Sequence, residues 1–348
     1  MPSFHPVVAV PARNEEERLP HLIAALARQT WLAGGRRLPV VIVCNNCSDA
    51  SAAVTRAAAA RTPQIALRLI EVTLTGGDNH VGVARRMAME EAAASGATVI
   101  LTTDADARPA PDWVLANLIA LRKGADIVAG RLVGDPQEEE RLGPGFIRRA
   151  GLVARYQELL DHLAALIDPL PYDPWPRHSD HTGASLALRT ELYRALGGLP
   201  PLPLREDLAL VSKARAQGAR LRHAPEVEVI VSARLEGRAK GGMADCIAAW
   251  VEEEEAHRPL LVEAPERAEA RFRLRRRLRD LAAADGTWRN ALTERTLSNM
   301  PISAAEPPLA LIERLAGDEP DAPRTMPVEA ALSYLEERLN NAAESFAA

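Results

Sequence analysis

The sequence is poor in cysteine, which argues against two classes of protein. Its three cysteines, Cys44, Cys47 and Cys246, are an odd number and follow no recognisable secretory leader, so we do not expect a disulfide framework. Cys44 and Cys47 form a CxxC pair, but one further cysteine does not supply the second pair of ligands that a zinc site needs. We therefore interpret the thiols as buried or strand-end side chains.

A basic surplus and long apolar runs are also missing. The 348 residues carry 42 basic and 47 acidic side chains, a net charge of −5, whereas nucleic-acid binders usually carry a basic surplus. No apolar run approaches the roughly 18 to 20 residues of a membrane span, and the first ten residues lack the charged region of a signal peptide. We expect a cytoplasmic protein with no nucleic-acid partner and no integral membrane segment.

Short β-branched runs alternate with longer amphipathic runs over the first two thirds of the chain. This alternation predicts an α/β fold with a mostly parallel central sheet that helices cover on both faces. In such a sheet, ligands bind at the carboxyl ends of the strands, where the strand order reverses. The predicted strands lie at 7–10, 40–44, 66–72, 98–103 and 126–132, and the predicted helices at 15–29, 50–61, 81–95 and 111–123.

The pattern changes after Val133. We expect a polar connector (134–145), a helix (146–167), an ordered proline-rich loop over a site (168–181), a strand (183–188), helices from Thr190 and at 205–218, and a strand at 227–233. From about Leu235 the sequence shows helical patterns alone. The chain is thus predicted to have a first domain over residues 1–238 and a helical C-terminal extension over residues 239–348.

The stretch ILTTDADARP places Asp104 and Asp106 directly after a buried strand. Two carboxylates separated by one residue can turn toward one point and offer oxygen ligands to Mg²⁺ or Mn²⁺, completed by waters and substrate phosphates. The alternative is that both are ordinary turn residues before Pro109.

Polar groups also follow the other predicted strands and helix starts at this rim of the sheet. Pro11 can end the first strand, and the Arg13 guanidinium can donate hydrogen bonds to phosphate or ribose oxygens. Asn14 is predicted to cap a helix with acids in its first turn. The second strand ends in Asn45, Asn46, Ser48 and Asp49, and Gly82, Arg85 and Arg86 stand near a later helix start.

Six motifs follow one another over roughly residues 5–238: PARNEE, VVIVCNNCSDAS, VGVARRMAM, TTDADARPAPDW, GASLALRTELYRALGGLP and LREDLALVSKARAQG. In this order they resemble the motifs of family 2 glycosyltransferases with the GT-A fold. The resemblance implies an enzyme of the hexosyltransferase class that moves a sugar from a nucleotide-diphosphate sugar to an acceptor hydroxyl. Metal dependence and an inverting displacement with a carboxylate base are implied with it.

The resemblance also assigns roles to individual residues. It implies a nucleoside pocket at Pro11, Arg13 and Glu15, Arg85 near the nucleotide, Asp104 and Asp106 for donor and metal, Asp207 beside Glu206 as the base, and Arg234 and Arg238 over the diphosphate. Glu206 and Asp207 could instead cap their helix, and the two C-terminal arginines could be solvated. Many members carry an aspartate where this chain has Asn45 and Asn46. Because an amide can donate as well as accept hydrogen bonds, the preferred base of the donor nucleotide could differ from uracil.

The acceptor, a small molecule, glycan or lipid head group, is less clearly marked. Tyr172, Trp175 and His178 could form an aromatic lid above a floor at Thr182–Ser185, or the tryptophan could anchor its loop to the core. His181 and His223 are candidates for a third metal ligand or for structural histidines. RFRLRRRLRD (271–280) has interleaved acids and favours a solvated or oligomer-forming helix over a membrane-surface helix. Homo-oligomerisation stays open.

Three other functions compete with glycosyl transfer. A sugar-phosphate nucleotidyltransferase needs a glycine-rich phosphate loop after its first strand, and PARNEEE is not glycine-rich. A nicotinamide-dependent oxidoreductase needs GxGxxG at the same turn, which is absent. A catalytically silent binding or scaffold protein on the same fold is the alternative from a different class.

Overall fold

One eight-stranded sheet forms the centre of the molecule, which confirms the predicted α/β architecture. The computed structural model describes residues 4–238, 242–283 and 307–347. The strand order is β3-β2-β1-β4-β7-β6-β8-β5, and only β5 and β7 run against the direction of the others. The strands are β1 (Pro6–Ala12), β2 (Leu38–Asn45), β3 (Ile65–Val72), β4 (Val99–Thr102), β5 (Arg108–Pro109), β6 (Ile127–Gly134), β7 (Leu186–Arg189) and β8 (Leu221–Val231).

The central strands are apolar throughout because both faces of the sheet are covered. In β1, Val8 and Val10 join one buried cluster and Val7 and Ala9 join the cluster on the opposite face. Helices α1, α2 and α4 contribute to the first cluster and α3, α7 and α8 to the second. These helices are α1 (Leu19–Ala27), α2 (Ser51–Ala60), α3 (Val81–Ala94), α4 (Trp113–Arg122), α7 (Thr190–Ala195) and α8 (Glu206–Ala216).

The predicted start of the first helix is wrong. Helix α1 begins at Leu19 and has no acid in its first turn, so Asn14 does not cap it and Glu15 to Glu17 do not lie in its first turn. Asn14 adopts a left-handed conformation, φ 54°, and its Oδ1 accepts the backbone N–H of Ser48 at 2.8 Å. An asparagine tolerates this conformation. It therefore ties the loop after β1 to the loop after β2.

The chain reverses its direction of travel across the sheet at β1. Strands β2 and β3 lie on one side of β1, and β4 lies on the other side, with Ala9 opposite Thr102. The carboxyl ends of β1 and β4 are therefore neighbours at the topological switch point, where open α/β sheets bind ligands. Asp104 lies at this place, separated from the end of β4 by Thr103.

A short helix replaces the predicted polar connector after β6. Helix α5 spans Pro136–Arg141, with proline in its first turn and the Asp135 side chain accepting the N–H of Gln137 at 3.0 Å. Proline at the start and an aspartate cap are both ordinary initiation signals. The sequence D-P-Q-E-E therefore carried a helix signal that its polarity obscured.

The C-terminal part is helical but also contains a small sheet, so the expectation of helical patterns alone was wrong. Strands β9 (Leu261–Glu263) and β10 (Arg324–Pro327) pair antiparallel. Helices α10 and α12 pack on the long helix α6, and α11 packs on α8. The boundary after residue 238 stays a prediction. The remaining helices are α6 (Pro144–Ile167), α9 (Met243–Glu255), α10 (Pro265–Ala283), α11 (Pro308–Ala316) and α12 (Val328–Ala347).

The structure bears on two features of the sequence, its cysteines and its lack of long apolar runs. All three cysteines are free, and burial raises the pKa of the Cys44 thiol to about 12, so this thiol stays protonated. Among the helices that the structure describes, none combines the length and the apolar character needed to cross a bilayer.

Candidate functional site

A cavity of about 600 Å³ opens at the carboxyl ends of β1, β2 and β4. It gathers all the predicted site residues except Asn46 and Asp207. The predicted residues that line it are Pro11, Arg13, Glu15, Asn45, Arg85, Asp104, Asp106, Glu206, Arg234 and Arg238. Residues up to 227 positions apart in the chain thus meet at one place, the switch point of the sheet.

Arg85 forms the centre of a buried network at the floor of this cavity. Its guanidinium donates to Asp104 at 2.7 Å and to Glu206 at 3.0 Å. It also donates to Thr102 Oγ1 at 3.1 Å and to the Gly183 carbonyl at 3.0 Å. A Cβ at position 183 would lie 2.5 Å from this guanidinium, so a glycine is needed there. One arginine therefore joins β4, α3, α8 and the segment before β7.

The charges of this network are strongly coupled. Burial acts to lower the pKa of Arg85, but the nearby charges of Asp104 and Glu206 outweigh it and raise that pKa. Burial also raises the pKa of Glu206, although the Arg85 charge opposes the shift. The carboxylate of Glu206 is thus committed to the arginine, which makes it a poor candidate for proton transfer.

A second arginine bridges the two sides of the cavity mouth. Arg234 donates to both carboxylate oxygens of Glu15, at 2.7 and 2.9 Å, and lies 2.9 Å from Asp106 Oδ2. Arg238 donates to the carbonyl of Asn14 at 3.1 Å. Burial, and then the neighbouring charge of Asp104, raise the pKa of Asp106 to about 6. The arginines that follow β8 are therefore placed beside the acid pair.

The acid pair suits a hard divalent cation that substrate oxygens would complete. The side chains of Asp104 and Asp106 are 36% and 19% exposed. Across the ranges that the structure describes, no group of three or more acidic, histidine or cysteine side chains could hold a metal ion. Mg²⁺ is commonly held by one or two carboxylates together with waters and substrate phosphates, so two carboxylates fit this mode. Arg234 would have to share Asp106 or leave it.

Asp207 lies beside the cavity. Its Oδ2 accepts the N–H of Gly183 at 2.5 Å, and its Oδ1 accepts the N–H of Leu208 at 2.7 Å. It stands in the first turn of α8, as the capping alternative expected, next to the cavity-lining Glu206. Both oxygens accept backbone N–H groups, which fixes the orientation of the carboxylate.

The side chain of Asn46 holds the backbone at Leu74. Its backbone adopts a left-handed conformation with φ 51°. Its side-chain amide donates to the carbonyl of Leu74 at 2.9 Å and accepts the N–H of the same residue at 3.1 Å. The amide is thus engaged both as a donor and as an acceptor, and Asn46 lies outside the cavity lining. The expectation that Asn46 contacts the donor nucleotide therefore has no support here.

The residues predicted for the acceptor lie around a second cavity. Tyr172, His178 and Thr182 line it, together with both candidates for a third metal ligand, His181 and His223. His223 is paired with Asp173, whose Oδ2 lies 2.9 Å from its Nδ1. The histidines therefore belong to a different cavity from the acid pair.

Trp175, which was proposed as part of an aromatic lid, anchors its loop to helix α6. Trp175 stacks on His162 of α6, with ring centroids 4.3 Å apart and planes 14° apart. Ser185, from the proposed floor, accepts the indole N–H of Trp113 at 2.8 Å and is buried. In RFRLRRRLRD, Arg271, Arg275 and Arg279 pair with acids and line the second cavity, so one face of this helix is turned toward the protein and not toward solvent.

Several cavity residues carried no clear sequence signal. Asn79 and His80 line the cavity just before α3, and Asn79 accepts from Arg13 at 3.2 Å. The Nδ1 atom of His80 is buried without a hydrogen-bond partner, as expected of a group that meets a ligand or water. Their position at a helix start could have suggested them. Ser232 and Met243 also line the cavity, through elements far away in the chain.

Comparison with known proteins finds a family match over the part of the chain that carries the acid pair. Residues 7–167 match the model of Glycosyl transferase family 2. Over this segment the chain is similar to family 2 glycosyltransferases. This match covers β1 to β4 and the acid pair, so the glycosyltransferase resemblance is confirmed and the protein is an enzyme of this class. No curated protein gives a significant sequence match to the chain.

Solved structures of glycosyltransferases are similar to this chain. The mannosyltransferase PcManGT from Pyrobaculum calidifontis, in complex with GDP-Man and Mn²⁺, is 20% identical with a TM-score of 0.51, over 99% of this chain and 76% of that chain. TarS from S. aureus, in complex with UDP, is 14% identical with a TM-score of 0.49, over 84% and 75%. At 20% identity the likeness to PcManGT shows the fold alone, and the GT-A type α/β fold is confirmed.

Proposed function

We propose that this glycosyltransferase is metal-dependent and inverting, and that it moves a hexose from a nucleotide-diphosphate sugar to an acceptor hydroxyl. The observation that carries the proposal is the meeting of Asp104 and Asp106 with Arg85 and Arg234 in one cavity at the switch point of the sheet. Carboxylates for a cation beside arginines for phosphates are what a nucleotide diphosphate requires.

The donor would lie across the ends of β1 and β2. Pro11, Arg13 and Glu15 are proposed to line the nucleoside pocket, with Asn45 at the end of β2 close to the base. Arg13 is oriented by Asn79, which accepts from its guanidinium. An amide at position 45 offers both a donor and an acceptor, so the preferred base stays open.

Diphosphate binding is proposed for the charged groups at the cavity mouth. Asp104 and Asp106 would hold Mg²⁺ or Mn²⁺, which would neutralise charge that develops on the leaving diphosphate. Arg234 and Arg238 can exchange their present partners, Glu15 and the Asn14 carbonyl, for phosphate oxygens. The Arg85 network holds Asp104 in place through a charge-assisted hydrogen bond.

Asp207 is the proposed general base, and Glu206 is its buried neighbour that keeps Arg85 in position. The acceptor oxygen forms a bond to the anomeric carbon while the bond from that carbon to the diphosphate oxygen breaks, and the electron pair leaves with the diphosphate. The acceptor proton passes to the Asp207 carboxylate. The backbone donors at Gly183 and Leu208 orient this carboxylate.

A nucleotide titration tests the donor site. The melting temperature of the full chain is measured with UDP, GDP, dTDP and CDP, each with and without Mn²⁺, for the wild type, Asp106→Ala and Asp112→Ala. Asp112 follows in the same segment, is exposed and lines neither cavity, so it is the matched control. We expect one nucleotide to stabilise the wild type and the control only with metal, and Asp106→Ala to lose the effect.

Two outcomes would contradict the proposal. If no nucleotide raises the melting temperature under either metal condition, the donor site is wrong and a catalytically silent binding role gains support. If Asp106→Ala responds as the control does, the acid pair does not hold the metal.

A further inference from the structure

The second cavity has a volume of about 350 Å³ and is closed by the C-terminal part of the chain. Its walls come from α6, the proline-rich loop before β7, α8, α10 and the segment 318–320. The loop and α8 belong to the predicted catalytic domain, whereas α10 and the last segment belong to the predicted extension. The extension therefore completes a chamber that the first domain alone leaves open.

Several buried polar atoms of this chamber have no hydrogen-bond partner in the protein. Asp168 is 4% exposed, and its Oδ1 is unpaired while its Oδ2 accepts from Arg279. His178 Nε2, Thr182 Oγ1 and Arg271 Nε are also buried and unpaired. All four residues line the cavity. Buried polar atoms are normally satisfied, so these atoms indicate that the chamber holds water or a polar ligand.

The chamber offers hydrogen bonds but little uncommitted charge. Every arginine that lines it has a carboxylate partner. Burial lowers the pKa of His178 to about 3 and that of His181 to about 4, so both imidazoles are neutral. Burial also raises the pKa of Asp161 to about 7. An anionic ligand would therefore have to displace an existing ion pair, whereas a neutral ligand would not.

Apolar surface accompanies these polar groups. The lining includes the side chains of Leu160, Ala164, Leu170, Leu208 and Phe272. A few polar groups set among apolar ones is the usual composition of a small-molecule site. It suits a molecule with hydroxyl groups at its edge and C–H groups on its faces.

The chamber adjoins the proposed base. Asp207 lines neither cavity but stands between Glu206, which lines the donor cavity, and Leu208, which lines the chamber, in the first turn of α8. On the facing segment, the Gly183 carbonyl contacts Arg85 of the donor cavity, and Thr182 lines the chamber. We propose that the chamber binds the acceptor as a neutral polyhydroxylated molecule, a sugar or polyol, and presents one hydroxyl to Asp207. This assignment rests on the proposed function.

Saturation-transfer NMR on the full-length protein tests the assignment. The probes are methyl α-D-glucopyranoside, methyl α-D-mannopyranoside and glycerol, with glucose 6-phosphate as the anionic comparison. Leu208→Trp fills the chamber beside Asp207, and Thr182→Val removes one unpaired hydroxyl with little change in volume. Ile119→Trp is the matched control, because Ile119 is exposed on α4 and lines neither cavity. The nucleotide-induced melting shift is measured on each variant in parallel.

We expect a neutral probe to bind the wild type and Ile119→Trp, to lose its signal in Leu208→Trp and to weaken in Thr182→Val, while the nucleotide shift persists in all. Three results would overturn the assignment: no probe binds, the probes bind Leu208→Trp as well as Ile119→Trp, or glucose 6-phosphate binds in preference to the neutral probes. If no probe binds, the chamber holds water alone. If a sugar binds in the chamber but no nucleotide shifts the melting temperature, the proposed function fails and the acceptor role fails with it, although a sugar site remains.

Discussion

Arg85→Met tests whether the buried network holds the floor of the donor cavity together. The substitution leaves Glu206, whose side chain is 5% exposed, as a buried carboxylate without its partner. Asp104 is 36% exposed and can regain water, but Thr102 and the Gly183 carbonyl each lose a donor. Removing one member of a buried ion pair typically costs about 3 to 5 kcal/mol, and we expect the free energy of unfolding to fall by this amount.

The assay is urea unfolding followed by circular dichroism, with Arg86→Met as the matched control. Arg86 is the next residue of the same helix. Its ion pair with Glu90 is largely exposed, and it donates to the carbonyls of Leu199 and Gly197, so its replacement should cost about 1 to 2 kcal/mol, less than that of Arg85. Adding Glu206→Gln to Arg85→Met should restore part of the stability, because the unpaired charge is removed. The reasoning is refuted if Arg85→Met unfolds at the same urea concentration as Arg86→Met.

Two further predictions concern a carboxyl group and two helical glycines. Asp161 has a raised folded pKa of about 7 against an ordinary value of 3.8, so the folded state keeps a proton that the unfolded state releases. Unfolding free energy should therefore fall as pH rises from about 4 to about 7, by at most about 1.4 kcal/mol per pH unit, and Asp161→Asn should remove this dependence in urea titrations. A Cβ at Gly82 would lie 2.1 Å from the Leu202 carbonyl oxygen, whereas one at Gly151 meets nothing within 4 Å. Gly82→Ala should cost roughly 1 to 3 kcal/mol and Gly151→Ala should gain about 0.5 to 1 kcal/mol, and equal effects on the melting temperature would contradict this.

The sequence predicts the sheet well because its strands are buried on both faces. Such strands are continuous apolar runs, and each of the five first predicted strands corresponds to a strand of the structure. Elements that are short or polar are harder to find from local patterns. Strand β9 has three residues, and helix α5 has a polar sequence whose start signals, Asp135 and Pro136, compete with a turn interpretation.

The candidate site is predictable where its residues follow strands and less so where distant elements meet. Asp104 and Asp106 come shortly after β4, so their place follows from the topology. Asn14 was misassigned because its partner Ser48 lies 34 residues away. The pairing of Arg234 with Glu15 spans 219 residues, and no local pattern encodes it. The chamber beside Asp207 is likewise invisible in the sequence because the C-terminal helices complete it.

The central claim is that Asp104 and Asp106 form a metal-dependent donor site. Anomalous diffraction from crystals grown with Mn²⁺ and the stabilising nucleotide tests it most directly, because it locates the metal. The account predicts one manganese peak in contact with both carboxylates and with the diphosphate, and Arg234 moved from Asp106 toward the phosphates. A nucleotide bound in the cavity without manganese at the acid pair, or a manganese peak elsewhere in the molecule, would contradict it.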